Sequence, residues 1–340
     1  MFYLVLYMKK FLMKILVTGG LGFIGSNFIL NLIKNHDEYD VINLDDELYG
    51  SNHTSLQEIE QSPRYKFVKG NINNSKLTEE LISDSDAIIN FAAESFVDRS
   101  IANAKPFLDS NISGVFTLLE ILKNQKKRFV HISTDEVYGS LNQGSATENS
   151  RFNPSSPYSA TKASSELLIN AYNESYDCDN LITRCTNNYG PRQFPEKLIP
   201  KVILLANSNQ KIPVYGTGKN IRDWLFVEDH CSAILQVLLK GKSGESYNIS
   251  DGNELDNLTI INTILKLMNK SNDLIEFVED RPGHDFRYSL DSSKIKSELN
   301  WSVKTDFDKG IEQTINWYLS NEQWWKNISK KALDKTPWKN

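Results

Sequence analysis

A glycine-rich turn near the start of the chain indicates its architecture, and it reads Thr18-Gly19-Gly20-Leu21-Gly22-Phe23-Ile24-Gly25. The largely apolar run Lys14–Thr18 leads into this turn, and apolar residues at helical spacing follow it over Phe23–Lys34. Glycines at Gly-x-x-Gly-x-x-Gly spacing allow a sharp turn and the close approach of a pyrophosphate to a helix N-terminus. We therefore predict a strand, a phosphate-binding turn and a helix; a purely structural turn is the alternative.

A carboxylate stands where a bound dinucleotide would need one. Asp45 ends the second apolar run, 20 residues after Gly25. An acid at that place accepts hydrogen bonds from the hydroxyls of an adenosine ribose. Asp46 and Glu47 add negative charge beside it, and no arginine lies close in sequence. Because a ribose 2′-phosphate would be repelled, the pattern favours NAD over NADP.

Short apolar runs alternate with longer helical patterns along the first half of the chain. The runs are continuous rather than alternating, which is typical of strands covered on both faces. Strands and helices in alternation form right-handed βαβ units, so we predict an α/β fold with a doubly wound parallel sheet of the Rossmann type. The predicted strands are Lys14–Thr18, Val41–Asp45, Tyr65–Val68, Asp86–Phe91, Arg128–Ser133 and Asn180–Thr186, and the predicted helices include Phe23–Lys34, Phe107–Lys123 and Tyr158–Tyr176.

The composition changes after Gly190, where prolines and glycines become frequent and the apolar runs shorten. We predict an NAD-binding domain over residues 13–190 and a smaller substrate-binding region over residues 191–330 that returns segments to the sheet. Residues 1–12 are predicted to be either a disordered extension or the result of a misplaced start codon, because Met8 and Met13 offer alternative starts. Helices predicted in the second region are Val227–Lys240, Leu258–Met268 and Asp306–Leu319.

Composition argues against several classes of protein. Lys and Arg total 38 against 43 Asp and Glu, and this net charge of −5 argues against a nucleic-acid partner. The apolar run Phe2–Tyr7 is far shorter than the ~20 residues of a membrane span, so we expect no membrane association. The three cysteines form no Cys-x-x-Cys pair, which favours a reducing, cytoplasmic location. No two of the five histidines show metal-ligand spacing, so we expect no metal, and His131, inside a strand, is expected to be a core residue.

Two adjacent carboxylates, Asp135 and Glu136, follow Thr134 at the end of the fifth predicted strand. Ligands of open parallel sheets bind beyond the carboxyl ends of the strands. One of two such carboxylates can act as an acid and the other as a base if their surroundings push their pKa values apart. The structural alternative is that both cap or salt-bridge a neighbouring helix.

Tyr158 and Lys162 lie four residues apart, and therefore on one face of a predicted helix. A nearby ammonium group stabilises a phenolate, so we expect Lys162 to lower the pKa of Tyr158 and let it remove a hydroxyl proton. The pair alone is uninformative because the spacing is common. After a nucleotide-binding half, it predicts oxidation of an alcohol by hydride transfer to NAD.

These stretches resemble the extended short-chain dehydrogenases and, within them, the dTDP-glucose 4,6-dehydratase family. The resemblance runs from Lys14 to about Leu319, and its acidic pair is far more specific than its glycine turn. The other matching stretches are Ala92–Ser100, Ser133–Gly139, Ser155–Glu166, Asn187–Pro191, Phe194–Pro200, Ile221–His230 and Asp280–Asp285.

The resemblance implies an NAD-dependent hydro-lyase that converts dTDP-glucose to dTDP-4-keto-6-deoxyglucose. Tyr158, with Lys162 beside it and Thr134 bonding the same oxygen, would deprotonate the sugar C4 hydroxyl while hydride leaves for NAD. The new 4-keto group acidifies C5, so Glu136 would take the C5 proton and Asp135 would protonate the departing C6 hydroxyl. Hydride then returns to C6.

The resemblance also implies two sets of contacts. Arg222 and Arg281 suit a diphosphate, because a guanidinium group bonds phosphate oxygens in pairs; a surface salt bridge is the alternative for either one. The cofactor set is Gly19, Gly22, Phe23, Ile24, Gly25, Asp45, Leu48, Asn71, Ile72, Ala92, Ala93, Ser95, Ser110, Tyr158, Lys162 and Asn188. The substrate set is Ser95, Thr134, Asn187, Lys197, Leu198, Pro213, Val214, Tyr215, Arg222, Asn257, Arg281 and His284.

Three residues depart from the family's pattern. Phe96 stands where histidine is common, Asp46 replaces a common lysine, and Asn71 replaces the acid that usually meets the adenine amine, although an amide oxygen can accept the same bond. These departures leave open the sugar and the base, so UDP- and CDP-glucose dehydratases remain alternatives.

Two related enzymes and one different class of protein are further alternatives. Nucleotide-sugar 4-epimerases usually carry small neutral residues in place of Asp135 and Glu136, and UDP-glucuronate decarboxylases tend to lack the Asp. A non-catalytic NAD-binding regulator would be expected to have lost Tyr158 or Lys162.

The family is generally dimeric through the helices that correspond to Phe107–Lys123 and Tyr158–Tyr176, so the resemblance implies a homodimer. The first of these helices is apolar on more than one side, which indicates deep burial or a subunit contact. Its apolar residues are Val115, Phe116, Leu118, Leu119 and Ile121.

Overall fold

The structure is a computed structural model that describes residues 12–328, 330–335 and 337–339. Apart from Leu12, the predicted N-terminal extension lies outside the described residues. The strands in this part of the chain are β1 (Met13–Thr18), β2 (Tyr39–Asp45), β3 (Tyr65–Lys69), β4 (Ala87–Asn90), β5 (Arg128–Thr134), β6 (Asn180–Cys185), β7 (Asn187–Tyr189), β8 (Ile212–Tyr215), β9 (Ile221–Phe226), β10 (Ser246–Ile249), β11 (Glu254–Asp256) and β12 (Ile275–Val278).

Seven parallel strands form the central sheet, in the order β10-β6-β5-β4-β1-β2-β3. Ile15 of β1 pairs with Val41 of β2 on one side and with Ala87 of β4 on the other. The chain leaves the sheet centre towards β3 and then returns to continue on the other side from β4. The sheet therefore has the doubly wound α/β topology that the sequence predicts.

The helices in the described residues are α1 (Phe23–Asn35), α2 (Ser75–Ser83), α3 (Val97–Ala102), α4 (Lys105–Phe107), α5 (Gly114–Gln125), α6 (Pro157–Tyr176), α7 (Leu198–Asn207), α8 (Val227–Lys240), α9 (Asn257–Leu267), α10 (Ser293–Leu299), α11 (Phe307–Ser320) and α12 (Glu322–Trp325). Over the same residues, no helix combines the length and the apolar character needed to cross a bilayer.

Helices cover both faces of the sheet because successive residues of a strand point to opposite sides. Ile15 packs in a buried cluster with Phe28 of α1 and Ile234 of α8. Its neighbour Leu16 belongs to the cluster on the other face, with Val115 of α5. The strands are consequently buried on both faces, which explains their continuous apolar runs.

The predicted helix Phe107–Lys123 is interrupted. A wide π turn, Leu108–Ser113, separates α4 from α5. Within it the Asn111 amide accepts from the backbone N–H of Glu94 at 2.9 Å and donates to the Glu94 carbonyl at 3.0 Å. Of the five apolar residues for which deep burial or a subunit contact is predicted, only Phe116 is exposed; the other four are buried in the core, namely Val115, Leu118, Leu119 and Ile121.

The chain after β6 forms a second region. It contains a three-stranded sheet, β11-β9-β7, and a two-stranded sheet, β12-β8, around their own apolar cluster. Its strand β10 pairs in parallel with β6 of the central sheet. The C-terminal segment lies against this region: the Trp338 ring meets Tyr215 edge to face at 4.8 Å, and Lys201 donates to the Asp334 carbonyl at 3.0 Å.

Candidate active site

One cleft opens at the carboxyl ends of β1, β2, β4 and β5. Its wall runs from the glycine turn past Asp45 to Asp135 and Glu136. The predicted cofactor residues and the two adjacent carboxylates therefore line the same cleft. All sixteen residues of the predicted cofactor set line it: Gly19, Gly22, Phe23, Ile24, Gly25, Asp45, Leu48, Asn71, Ile72, Ala92, Ala93, Ser95, Ser110, Tyr158, Lys162 and Asn188.

Two glycines of the turn, Gly19 and Gly25, leave no room for side chains. Gly19 has φ +71°, and a Cβ atom there would lie 2.5 Å from the backbone nitrogen of Ala92. A Cβ atom on Gly25 would lie 2.5 Å from the Gly19 carbonyl oxygen. Helix α1 begins after Gly22 without a side-chain cap, so its first N–H groups face the cleft with no capping side chain. Such N–H groups suit an anion.

Asp45 is buried, and the loop around it uses part of its hydrogen-bonding capacity. It accepts from the backbone N–H groups of Leu21 at 2.9 Å and Glu47 at 2.8 Å, and from the Ser51 hydroxyl at 3.0 Å. Burial raises the pKa of this carboxyl, and the two backbone bonds oppose the rise. A carboxylate has about four lone-pair sites, so one remains for a ribose hydroxyl.

Asn71, one of the three departures from the family's pattern, is already engaged on both ends of its amide. Its nitrogen donates to Asp46 at 2.8 Å, and its oxygen accepts from the backbone N–H of Asn73 at 2.9 Å. An amide oxygen has two lone pairs, so one acceptor site is left at this edge of the cleft.

The two adjacent carboxylates occupy different surroundings. Asp135 is 3% exposed, its Oδ1 accepts from the Thr134 hydroxyl at 3.2 Å, and its Oδ2 is buried without a partner. Burial, followed by the charge of Glu136, raises the pKa of Asp135 well above its ordinary value. Burial also raises the pKa of Glu136, but the cations Arg281, Lys197 and Arg222 oppose the rise.

Helix α6 carries Tyr158 and Lys162 in its first two turns. Pro157 opens the helix, and Ser156 and Ser159 form a reciprocal capping box that sets the start of its first turn. Both functional side chains are buried, and the Lys162 ammonium donates to the Ile132 carbonyl at 2.7 Å. Burial lowers the pKa of Lys162 to about 8.

The expectation that the pKa of Tyr158 is lowered is wrong for this structure. Burial raises the pKa well above 10, and the nearby Glu136 raises it further; the hydrogen bond with Thr134 opposes both. The reason is that a phenolate in a poorly solvated cleft loses its hydration, a cost that the sequence pattern does not reveal.

Four members of the predicted substrate set line the cleft: Ser95, Thr134, Asn187 and Lys197. Arg222 lies next to it and donates to the carbonyls of Asp285 at 2.9 Å and Phe286 at 3.2 Å. The remaining members, which belong to the second region, are Leu198, Pro213, Val214, Tyr215, Asn257, Arg281 and His284.

Sequence reasoning missed Asp98, which joins two residues of the substrate set. Its Oδ1 accepts from Arg281 at 2.7 Å and its Oδ2 from the Tyr215 hydroxyl at 3.2 Å. Arg281 Nε is buried without a partner. The motif Ala92–Ser100 contains Asp98, but nothing in it signals a partner 183 positions away.

A second cluster that the sequence did not reveal surrounds Phe96, one of the residues that depart from the family's pattern. The Phe96 ring packs edge to face with Tyr49 and Phe194, and the Lys197 ammonium lies 4.8 Å from its centroid. Nearby, Arg99 pairs with Glu196 at 2.9 Å. An apolar ring thus occupies this wall of the cleft. Among the described residues no three His, Cys, Asp or Glu side chains are grouped to hold a metal ion.

Comparison with known proteins agrees with this geometry. The family model for GDP-mannose 4,6 dehydratase matches residues 16–314. Low-salt glycan biosynthesis protein Agl12 of Haloferax volcanii is 47% identical over 312 residues, which cover 92% of this chain and all of that protein.

Two solved structures are similar over 93% of this chain and 100% of theirs. The dTDP-glucose 4,6-dehydratase of Bacillus anthracis, in complex with NAD, is 45% identical with a TM-score of 0.88. DesIV of Streptomyces venezuelae, a dTDP-glucose 4,6-dehydratase with NAD and TYD bound, is 43% identical with a TM-score of 0.91. Fold, cleft and similarity together show that the chain belongs to the dTDP-glucose 4,6-dehydratase family of extended short-chain dehydrogenases.

Proposed function

We propose that this chain is an NAD-dependent hydro-lyase that dehydrates dTDP-glucose to dTDP-4-keto-6-deoxyglucose. The observation that carries the proposal is the pair Asp135 and Glu136, which share one cleft with Tyr158 but have different surroundings. Reversible oxidation alone needs only the tyrosine and its lysine. Loss of water across two carbons also needs an acid and a base.

The residues of the cleft fit NAD. Gly19 and Gly25 pack too closely against neighbouring backbone to carry a side chain, which keeps the turn tight, and the start of α1 presents backbone N–H groups that suit a pyrophosphate. Asp45 would hold the adenosine ribose, and Tyr158 and Lys162 would flank the nicotinamide end. Bound NAD supplies the acceptor and donor of hydride.

Tyr158 would take the proton of the sugar C4 hydroxyl. The Thr134 hydroxyl favours the phenolate, whereas burial and the charges of Glu136 and Asp135 oppose it. The Lys162 ammonium, one helical turn away, would also favour it, as the family resemblance implies. Because the pKa of Asp135 is raised, that carboxyl is readily protonated, which removes one of the opposing charges. The protonation state of the carboxylates therefore affects the reactivity of the tyrosine.

The elimination step follows from the contrast between the two acids. Asp135, with a raised pKa and an unpartnered Oδ2, is suited to protonate the departing C6 hydroxyl. Glu136, whose charged form is favoured by Arg281, Lys197 and Arg222, is suited to remove the C5 proton. The C5 hydrogen becomes acidic only beside a 4-keto group, so oxidation has to come first.

The substrate diphosphate would lie between Arg281 and Arg222. Arg281 has a buried Nε–H without a partner, and its pairing with Asp98 holds the guanidinium in place. Arg222 spends part of its five N–H donors on backbone carbonyls and retains the rest. These arginines support a nucleoside diphosphate as the activated part of the substrate.

For assembly, we propose a homodimer formed through α5 and α6. These helices pack against each other, and apolar side chains on and beside them are exposed, including Phe116 at 47% and Leu167 at 60%. Charged residues at both positions should leave a folded monomer. Sedimentation of Phe116→Glu/Leu167→Glu against the parent tests this, and an unchanged mass would reject this surface as the contact.

For its cellular place, we propose the cytoplasm and a supply of 4-keto-6-deoxy sugar nucleotide for deoxysugars such as dTDP-rhamnose. The cysteines Cys178, Cys185 and Cys231 are all free and buried, which suits a reducing compartment.

The function is tested by incubating the purified protein with dTDP-, UDP- and CDP-glucose in heavy water without added cofactor. We expect dTDP-glucose to lose one water and to take up deuterium at C5. No NAD should have to be added from outside. Mass spectrometry reads both changes and also identifies the dinucleotide released on denaturation. Release of an epimer only, or of no product from dTDP-glucose, would contradict the proposal.

A further inference from the structure

A chain of buried polar side chains leads from the glycine turn to Lys162. Thr18 Oγ1 lies 2.6 Å from Asn90 Oδ1, and Asn90 Nδ2 lies 3.0 Å from His131 Nδ1. His131 Nε2 lies 3.1 Å from the Lys162 ammonium nitrogen. His131 is buried, as expected of a core residue, but its ring contacts a residue of the predicted catalytic set.

The hydrogen-bond donors and acceptors in this series of side chains allow few arrangements. An ammonium group only donates hydrogen bonds, and Lys162 already donates to the Ile132 carbonyl at 2.7 Å. Burial lowers the pKa of His131 well below 6.5, so the ring is neutral and carries one N–H. If that N–H were on Nε2, two donors would face each other in a buried space, which is costly.

We propose that His131 is a positioning residue that holds Lys162 in its charged form by accepting a hydrogen bond from the ammonium group at Nε2. The ring proton then resides on Nδ1 and is donated to the amide oxygen of Asn90. This arrangement requires the side-chain amide of Asn90 to be rotated by half a turn from the orientation described above, so that its nitrogen donates to Thr18 Oγ1. The inference rests on the proposed function, because a charged Lys162 matters through its effect on Tyr158.

The other groups around Lys162 make a neutral acceptor useful. Burial disfavours the ammonium form, whereas Glu166 and Cys185 favour it. Glu166 is also paired with Arg184 at 2.6 Å, so its charge is shared. The other titratable groups nearby are the Tyr158 phenol, one turn away on the same helix, and Glu136 and Asp135, which follow β5 and raise the pKa of that phenol. An imidazole that accepts adds stabilisation of Lys162 without adding a charge that would raise the pKa of Tyr158.

The first test reads the tautomer directly. Long-range ¹H–¹⁵N spectra of the purified protein, labelled with ¹⁵N-histidine and containing whatever NAD it retains, separate a protonated from an unprotonated ring nitrogen. The signal of His131 is identified by its loss in His131→Gln. We expect a proton on Nδ1 and none on Nε2. A proton on Nε2, or on both nitrogens, would overturn the proposal.

The second test compares two substitutions. His131→Gln places an amide oxygen near the position of Nε2, whereas His131→Leu has no acceptor. Loss of the acceptor lowers the pKa of Lys162, so the alkaline decline of kcat should move to lower pH by about one unit in His131→Leu. His131→Gln should retain the parent profile, and both should retain the same NAD content.

Equal pH profiles for His131→Leu and the parent would reject the role, as would an equal shift in both variants. If His131→Leu does not fold, the tautomer of the parent protein still decides. The spectrum is recorded without sugar nucleotide, so a failure of the proposed function on dTDP-glucose appears separately from a failure of this inference.

Discussion

The two sides of the cleft are built in different ways. The cofactor side comes from loops that directly follow β1, β2 and β4, so its residues lie beside a local motif. The substrate side gathers Lys197, Tyr215 and Arg281 from separate segments. Asp98 joins Tyr215 and Arg281 across 117 and 183 positions. A change on the first side should therefore act through the backbone or the chemistry, and a change on the second through substrate binding.

The largest effect is expected on the cofactor side at the reacting group. Tyr158→Phe removes the phenolic oxygen but keeps the ring contact with Phe107, so the fold should be unchanged. We expect kcat to fall by ~10²–10⁴, the range for a general base. The control Tyr172→Phe, on the same helix, should keep the parent rate. A parent-like rate in Tyr158→Phe would remove this tyrosine from the mechanism.

The two acids should differ from each other. Glu136→Gln should still allow partial reduction of bound NAD, seen by absorbance, but should abolish both C5 exchange in heavy water and loss of water. Asp135→Asn should keep C5 exchange and slow the loss of water, again by ~10²–10⁴. The reverse pattern would exchange the assigned roles, because the base alone is needed for C5 exchange.

Gly19→Ala tests the backbone of the cofactor side. The new Cβ would lie 2.5 Å from Ala92 N at φ +71°, so we expect a loss of bound NAD and a destabilisation of about 1–3 kcal/mol. Gly22→Ala is the matched control, because its Cβ would meet nothing closer than the Gly19 carbonyl at 3.3 Å. NAD content and thermal unfolding measure both; equal behaviour of the two variants would show that the close approach is unimportant.

On the substrate side, Asp98→Asn should separate binding from chemistry. The amide weakens two charge-assisted contacts, with Arg281 and Tyr215, and we expect the KM for dTDP-glucose to rise by ~10-fold while NAD content stays constant. Asp84→Asn, which alters an exposed pair with Lys14, is the control. If NAD content fell instead, the two sides of the cleft would not be independent.

The smallest effect is expected from the C-terminal segment. Trp338→Ala removes an edge-to-face contact with Tyr215, and such pairs contribute about 0.5–1.5 kcal/mol. We expect KM to rise by less than about tenfold with kcat unchanged, and Lys339→Ala, at an exposed side chain, to leave both constant. A fall in kcat alone would place Trp338 in the chemistry rather than in the support of Tyr215.

Particular elements show how much of the fold could be predicted from the sequence. The predicted strand Lys14–Thr18 is observed as Met13–Thr18, and Val227–Lys240 is observed with the same bounds. The interrupted helix at Leu108–Ser113 was not predicted, because its cause is the bonding of Asn111 to Glu94, which comes from another loop. The contact roles of the predicted site residues stay predictions, although the structure brings the cofactor set to one cleft.

The sequence by itself determined the central sheet, the glycine turn and the place of Asp135 and Glu136 at a strand end. These features follow from periodicity and from local backbone conformation, which neighbouring residues control. Only the tertiary structure decided the partners of Asp98, the raised pKa of Tyr158 and the contact between His131 and Lys162. Desolvation and buried hydrogen bonds arise where distant segments meet out of water, and no local pattern encodes that environment.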